Sequence, residues 1–554
     1  MQKRELRAWA MVLLLVALPA LLYWQFLSNP MVFDDRNFFN GRIPQYFTAS
    51  IFSFQFRWFP YASLGWTNHL FGQDPINFRL GNLALHITVG ISLFLFLRAL
   101  FVAVLENRQE SGIKPGSLSS EALAFFGALI FVMHPVAVYG AGYLIQRSIV
   151  MATLFVLLML ICWLEGLRRG QSRWLYLATL FYLVAIFSKE HSIMAPGLVV
   201  ALTMLLKKPS LQLAKQIMYP LAILGAIGLS VLLMAKGLLG TPYEPDAADM
   251  LRHMAEGGEV PDIAHAYPLS ILTQSFLYFK YVLLWLIPSP DWMSVDMREP
   301  FAPSFVSWPY TPAFLLFLGY PVFAVWLLLK RGHLGLVGFG MLFPWILFAT
   351  EFSTVRLQEP FVLYRSYLWM VGAFAVLPWV LSRLRISLAI SVLALACLIL
   401  AAGAWDRLTT FSHPFLLWQD AAKLVEGKPY VIGAQRIYYN RGNAYFFAQK
   451  YPEALANYTL AIESKERAGL FWGLPGRGNI YFHLGQYELA LRDFEALIAA
   501  EPNYSLGYFG RGLVYMKYGK YDQALADLEK SCALGKRGCE KLTELKNERR
   551  DISK

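Results

Sequence analysis

Charge is scarce in this chain. Of 554 residues, only 16% are Asp, Glu, Lys or Arg, against 57% hydrophobic, and the mean hydropathy is +0.44. Soluble proteins run at ~45–50% apolar, so most of this chain is expected to sit in lipid. Cysteine is scarcer still, at four. Cys162 and Cys397 fall inside apolar runs and read as packing residues. Cys532 and Cys539 lie near the C-terminus, where an oxidising compartment would let them pair. Several motifs are absent altogether. No GxxxxGK[ST] loop, HExxH helix or GxSxG turn occurs, which excludes a P-loop phosphate cradle, a zinc-protease helix and a nucleophile elbow. His134 to His191 offers no compact metal-ligand spacing. The net charge of +12 does not imply nucleic acid, because its Lys and Arg sit largely at the ends of apolar runs and no basic patch with stacking aromatics accompanies them.

What the chain does have is long apolar runs. The first, residues 8–27, is long enough to cross a ~30 Å hydrocarbon core. No small-residue cleavage site follows it, so it is expected to be a retained anchor rather than a signal peptide. About eleven spans are expected, near 8–27, 80–104, 121–138, 148–165, 173–188, 191–206, 217–235, 311–330, 333–350, 367–382 and 385–403. Lys3, Arg4 and Arg7 precede the first. The even-numbered spans end near Arg98 and Arg108, Arg168-Arg169, Lys207-Lys208, Lys330-Arg331 and Arg383-Arg385, so these ends are expected inside and the C-terminus outside. Two outer loops are long, about 28–79 and 236–310. The apolar stretch 269–288 in the second closes the topology better as an interfacial or re-entrant segment, with Lys280 reaching the surface. These features predict a membrane domain over 1–403 and a linker over 404–435.

The C-terminal region, 436–554, changes character. Arg441-Gly442, Arg477-Gly478 and Arg511-Gly512 recur with Tyr451, Tyr487 and Tyr521 and with Ala454-Leu455, Ala490-Leu491 and Ala524-Leu525. A period of ~34 residues with small residues at fixed places is the tetratricopeptide signature. An insert with Lys465, Glu466 and Arg467 separates the first two copies. Such repeats stack paired helices on a shared core and hold a peptide or protein in a concave groove. The fold class expected for the whole chain is therefore all-α: a polytopic helical membrane domain followed by an α-solenoid.

Ionisable groups in or beside membrane spans are costly, so each calls for a reason. Asp34 and Asp35 follow the first span directly; like charges this close raise one pKa and leave a base able to exchange protons. They could also hold a divalent ion, though two carboxylates alone are a weak metal signal. Further along come Arg57, His86, His134, Gln146, Arg147, Lys189, Glu190, His191, Glu351, Arg356, Glu359 and Arg365. With the exceptions of Arg57, in the outer loop itself, and His86, within a span, these fall at or near outer span ends. Groups remote in sequence thus converge on one face. Several cations at an interface suit a phosphate, and acids beside them suit general-base work. The bland alternatives are an interfacial anchor for Arg57 and Lys189, packing roles for His86 and His134, and ion pairing for Glu190 and Glu359 with Lys189 and Arg365.

The ordered set VFDDRNFF (32–39), FRLGNLALH (78–86), HPVAVYGAGYLIQRSIVMATLF (134–155), FSKEHSIM (187–194) and EFSTVRLQEPFVLYRSYL (351–368), followed by tetratricopeptide repeats, resembles the transmembrane and tetratricopeptide-repeat-containing O-mannosyltransferase family and its bacterial relatives. The resemblance covers residues 8–535. It implies a class C glycosyltransferase fold and an enzyme that moves a sugar from an undecaprenyl- or dolichyl-phosphate donor to a Ser or Thr hydroxyl on the non-cytoplasmic side; the reaction is read here as an inverting transfer that requires no metal. It implies that one acid of the Asp34-Asp35 pair is the base and that Arg147 and Lys189 lie near the lipid phosphate. Arg365 stands where relatives often have an EHR-type run, but Leu363 and Tyr364 replace its first two members. The short repeat array makes a bacterial inner-membrane protein with periplasmic repeats the expected case. Two alternatives stay open: a glycolipid or lipid A acceptor, and a membrane scaffold that recruits partners through its repeats.

Overall fold

The structure, a computed structural model, describes residues 2–35, 39, 55–106, 118–237, 239–242, 250–252, 265–357, 359–382, 384–428, 431–464, 466–535 and 538–552. Arg108, Arg383 and Lys465, and the start of the aromatic stretch at 51–54, lie outside them. The described residues are all-α, with one isolated bridge between Pro242 and Val355. The chain divides into two compact units. The first holds Met1–Ala247, Glu259–Val295 and Phe301–His413; the second holds Pro414–Lys554 together with Ala248–Gly258 and Asp296–Pro300.

In the first unit, eight described helices are long and apolar enough to cross a membrane: Leu6–Phe26, Pro75–Leu105, Leu144–Arg169, Leu211–Met234, Ala266–Leu286, Tyr310–Lys330, Gly332–Ser353 and Ile386–Thr410. Their boundaries follow local chemistry. Asp74 caps Pro75–Phe101 by accepting from the Ile76 N–H at 2.9 Å, with Pro75 at the first helical position, where its missing N–H costs nothing. Gly170, at φ 68°, ends Arg147–Arg169 in the left-handed conformation that glycine adopts without strain. Gly338 lets the Tyr310–Lys330 and Gly332–Phe348 helices touch: a Cβ there would meet the Ala324 carbonyl oxygen and the Leu328 nitrogen at 2.4 Å. Large apolar side chains point outward from these helices, among them Leu13, Leu21, Val322 and Leu398, in the manner of a surface covered by lipid.

The expected spans differ from the helices in three places. Ser120–Val132 and Pro135–Ala141 bend by 66° at His134-Pro135, because the residue before a proline is driven out of the helical region. Residues 367–382 form no continuous helix but three short pieces, Ser366–Met370, Val371–Val376 and Leu377–Leu381. The 173–188 and 191–206 runs are helices of 10–17 residues on either side of a break at Lys189. The stretch expected at the interface is one 21-residue helix, Ala266–Leu286. Its polar residues lowered the apparent hydropathy, yet they face protein: Gln274 donates to the Pro360 carbonyl at 2.9 Å, and Thr273 accepts from the Ala302 N–H at 3.0 Å. Tyr267 near its start donates to the Phe352 carbonyl, and Trp285 near its end stacks on His134 and donates to Ser366. By length and composition this helix is able to cross a membrane, so the stretch expected at the interface stands among the candidate spans.

In the second unit, helix pairs repeat: Ala434–Phe447 with Tyr451–Glu463, Arg467–His483 with Tyr487–Ala500, and Ser505–Lys517 with Tyr521–Gly535. Ala454, Ala490 and Ala524 are fully buried and share cores with Tyr458, Phe494 and Leu528 respectively. Gly442, Gly478 and Gly512 pack against Tyr458, Phe494 and Leu528 respectively, so a larger residue would push the paired helices apart. A last helix, Cys539–Ile552, covers the third core through Leu545 and is joined to the preceding helix by a Cys532–Cys539 disulfide.

Candidate active site

The acidic pair sits where the first helix has ended. Asp35 is fully buried. Its carboxyl accepts from the Ile145 N–H at 2.9 Å and, more weakly, from the Val32 N–H at 3.4 Å. Burial raises its pKa to about 7, against the opposing pull of these backbone donors and of Arg79. Asp34 is exposed, and its backbone N–H donates to the Tyr143 hydroxyl at 3.0 Å. Two neighbouring carboxyls thus have opposite settings: one locked inside, one facing out.

Tyr143 carries the connection onward. Its ring meets that of Tyr364 at 6.3 Å. The Tyr364 ring in turn lies under the Lys189 ammonium at 5.6 Å and beside the Arg365 guanidinium at 6.0 Å. Arg57 and Glu190 form a two-pronged pair, with Arg57 Nε donating at 3.0 Å. Glu351, fully buried, accepts from Arg365 at 2.8 Å, lies 2.9 Å from His191 Nε2 and 3.8 Å from Arg356. Glu359 and Arg365 both act on Tyr364 and on each other electrostatically. Six expected residues, Arg57, Lys189, Glu190, His191, Arg356 and Arg365, are therefore in one electrostatic group with Glu351.

Lys189 stands apart within this group. It is 2% exposed, yet among the described residues its ammonium makes no hydrogen bond or ion pair. The expected partner, Glu190, is instead taken by Arg57. Burial, then Arg57, hold the lysine pKa well below its ordinary range against the attraction of Glu190, with Arg365 and Arg356 adding to the depression. The neighbouring His191 Nδ1 and Ser192 Oγ are also buried and without a hydrogen-bond partner. A buried lysine and two buried polar atoms without hydrogen-bond partners thus lie side by side in the chain, within a group of four basic and three acidic side chains.

Other expected residues are engaged elsewhere. Arg147 is 3% exposed and donates to Asn82, Ser63, Thr67 and the Phe78 carbonyl, tying three helices together. His86 bonds the Tyr367 hydroxyl at 2.7 Å and the Val132 carbonyl at 3.0 Å. His134 accepts from the Val136 N–H and bonds the Trp285 carbonyl, which makes it a helix cap. In both histidines each ring nitrogen already has a partner. Gln146 is buried, with its carbonyl oxygen unpartnered.

Sequence reasoning missed Arg79, Asn82, Tyr143 and Tyr364 as members of the site. Arg79 donates to three backbone carbonyls, of Asn29, Pro30 and Gly142, and so fixes the segment that leads into the acidic pair. A lone cation near the start of an apolar helix was the signal available for it. The tyrosines gave none, because a tyrosine in an aromatic-rich membrane chain is unremarkable on its own. Among the described residues, no three His, Cys, Asp or Glu side chains gather as a metal site.

A family profile for the tetratricopeptide repeat matches residues 435–467 and 476–504. The C-terminal region thus carries tetratricopeptide repeats, whose general role is to bind other proteins. Comparison with curated proteins returns no match.

Proposed function

We propose that this protein is a membrane glycosyltransferase that moves a sugar from a polyprenyl-phosphate donor to a Ser or Thr hydroxyl of a protein on the non-cytoplasmic face. The observation that carries the reading is Lys189, a buried cation without an ion pair among the described residues, in one group with Arg57, Arg356 and Arg365. Such a group suits a phosphate at membrane depth, and the exposed apolar faces of the helices suit a polyprenyl tail. The family resemblance of the quoted motifs supports the same chemistry.

In this reading Asp34 is the base. Its carboxylate faces outward, whereas that of Asp35 is held by backbone donors. Asp34 takes the proton of the acceptor hydroxyl as that oxygen attacks the anomeric carbon. The bond from that carbon to the phosphate oxygen breaks, and polyprenyl phosphate departs with the bonding pair. Lys189 and Arg365 stabilise the charge that builds on the leaving phosphate, a preorganised electrostatic effect. Attack opposite the phosphate inverts the anomeric centre. Arg79 and Arg147 are positioning residues. The repeats hold the acceptor protein and raise its local concentration near the site.

The test is mass spectrometry of outer-face proteins from cells with the wild-type chain, with a Lys189→Ala chain and without either. Sugar-sized additions on Ser or Thr that require the wild-type chain are expected. Identical modification in all three strains would overturn the reading.

A further inference from the structure

The first unit also has a cavity lined by none of the residues of the charged group. This cavity, of about 300 Å³, opens between the helices Ala195–Leu206, Leu211–Met234 and Tyr310–Lys330. Its walls are largely apolar, formed by side chains such as Met204, Ile217, Leu221 and Leu329. Its rim is different: Lys207, Ser210 and Arg331. Lys208 and Lys330 adjoin them in sequence, and no acidic residue lines the cavity. On the helix end that Gln216 meets by donating to the Gly166 carbonyl, Glu165 is already paired with Arg168 and Arg169. Ser210 caps the Leu211–Met234 helix, whose N-terminal dipole adds positive potential at the rim.

Arg331 has an uncommon backbone. It sits at φ 57° and ψ −172°, a region occupied almost solely by glycine. A glycine follows it at 332, so the turn had a residue suited to such a conformation next door. Holding a long cation in a strained place at the rim is hard to explain by the turn alone.

We infer that this recess is a binding site for an anionic membrane phospholipid, with an acyl chain in the apolar groove and its phosphate between Lys207 and Arg331. The charge pattern selects the ligand: apolar walls with a purely basic rim fit a lipid whose headgroup carries a net negative charge, not a zwitterionic one. The groove also opens toward outward-facing apolar side chains, including Met218, Leu329 and Val322, which places the occupant in the bilayer. The inference rests on the membrane reading of the first unit but not on the transfer reaction, so it can fail or hold independently of Lys189 and Asp34.

The experiment uses the full chain purified in neutral detergent. Dioleoyl-phosphatidylglycerol and dioleoyl-phosphatidylcholine are added in equal amounts, and retained lipid is read by native mass spectrometry. Preferential retention of phosphatidylglycerol is expected. Each basic side chain near an anionic headgroup contributes roughly fivefold in affinity, so Lys207→Ala and Arg331→Gly should each weaken retention by about that factor. Lys236→Ala, an exposed lysine at the opposite end of the Leu211–Met234 helix, should change nothing. Arg331→Gly also separates binding from turn formation. The glycine variant should melt at a higher temperature than wild type without lipid, yet lose most of the rise that phosphatidylglycerol produces. Equal retention of both lipids, unchanged retention in both Lys207→Ala and Arg331→Gly, or the same thermal rise from soluble glycerol phosphate would each overturn the assignment.

Discussion

The repeats and the first unit handle their charges differently. Within the repeats the pairs are local and periodic: Arg477 with Asp493 and Arg511 with Asp527, each sixteen residues apart and each two-pronged; outside that pattern, Arg436 reaches Asp296, 140 residues away. The first copy keeps the spacing but substitutes a neutral partner, Asn457, for Arg441. In the first unit the spacing is irregular: Arg365 with Glu351, 14 residues apart, Arg57 with Glu190, 133 apart, and His191 with Glu351, 160 apart. One of its cations, Lys189, has no such partner among the described residues. Local pairs staple neighbouring helices, so they are structural by construction. Long-range pairs with one cation left over have no such simple explanation, and the surplus is what points to a ligand.

The largest effect is expected at the outward-facing acid. Asp34→Asn should lower turnover by roughly 10²–10⁴-fold, the range for loss of a general base, with donor binding and thermal stability unchanged. Single-turnover kinetics with purified donor would show it. Near-wild-type turnover in Asp34→Asn, with loss in Asp35→Asn instead, would reverse the roles given to the pair.

Asp35 should reveal itself through stability. Its pKa in the fold, about 7, lies above the ordinary 3.8, so the folded protein holds this proton more tightly than the unfolded chain. Stability from this group therefore falls as pH rises from about 4 to about 7 and stays low above that. The full difference is on the order of 4 kcal/mol. Asp35→Asn, which keeps an oxygen to accept from Ile145, should remove that slope and be no less stable than wild type at pH 8. A melting curve taken at several pH values checks it; an unchanged slope in the variant would mean that another group titrates.

How legible these features were in the sequence follows the same divide. The repeats could be read because each copy restates the same small residues at the same offsets, and the structure shows the reason in Gly442, Gly478 and Gly512 packed on Tyr458, Phe494 and Leu528. The third pair, Ser505–Lys517 with Tyr521–Gly535, was visible in that way although the family profile stops at 504. The charged residues of the membrane unit could be gathered onto one face, because costly groups at span ends stand out. Their pairing could not be read. Glu190 was expected beside Lys189 because they are neighbours, but its carboxylate is taken by Arg57 and acts on Lys189 only from beyond ion-pair distance. Ala266–Leu286 was obscured for a related reason: Thr273, Gln274 and Lys280 look like surface residues until their protein partners are known.

Lys189 gives the next test of the contrast. An ion-paired lysine should destabilise the fold when removed; a lysine waiting for an anion should not. Lys189→Met is expected to raise the melting temperature without donor and to weaken donor binding by roughly tenfold to a hundredfold, the range for hydrogen bonds to charged groups. Arg57→Met should do the reverse to stability, because it leaves Glu190 without its partner. Donor titration in nanodiscs alongside thermal melts separates the two. A destabilised Lys189→Met with unchanged donor affinity would put Lys189 in the same class as the repeat-unit pairs.

The smallest effect belongs to those pairs themselves. Arg511 and Asp527 are partly screened by solvent, with side chains 23% and 9% exposed, so their coupling should be modest despite the two-pronged geometry. A double-mutant cycle of Arg511→Ala and Asp527→Ala, read by hydrogen exchange of the Ser505–Gly535 backbone in the full chain, should give about 1 kcal/mol. The coupling should shrink in high salt, since the pair is reached by mobile ions. The matching cycle of Arg441→Ala and Asn457→Ala should depend on salt less, because Asn457 carries no charge. Glu426, which also pairs with Arg441, must be replaced by Gln in the background of that second cycle, or its own salt-sensitive attraction would enter the comparison. A coupling of several kcal/mol at Arg511–Asp527 that ignores salt would mean that the repeat pair is as shielded as the membrane cluster. The distinction between local staples and a ligand-seeking surplus would then have to rest on Lys189 alone.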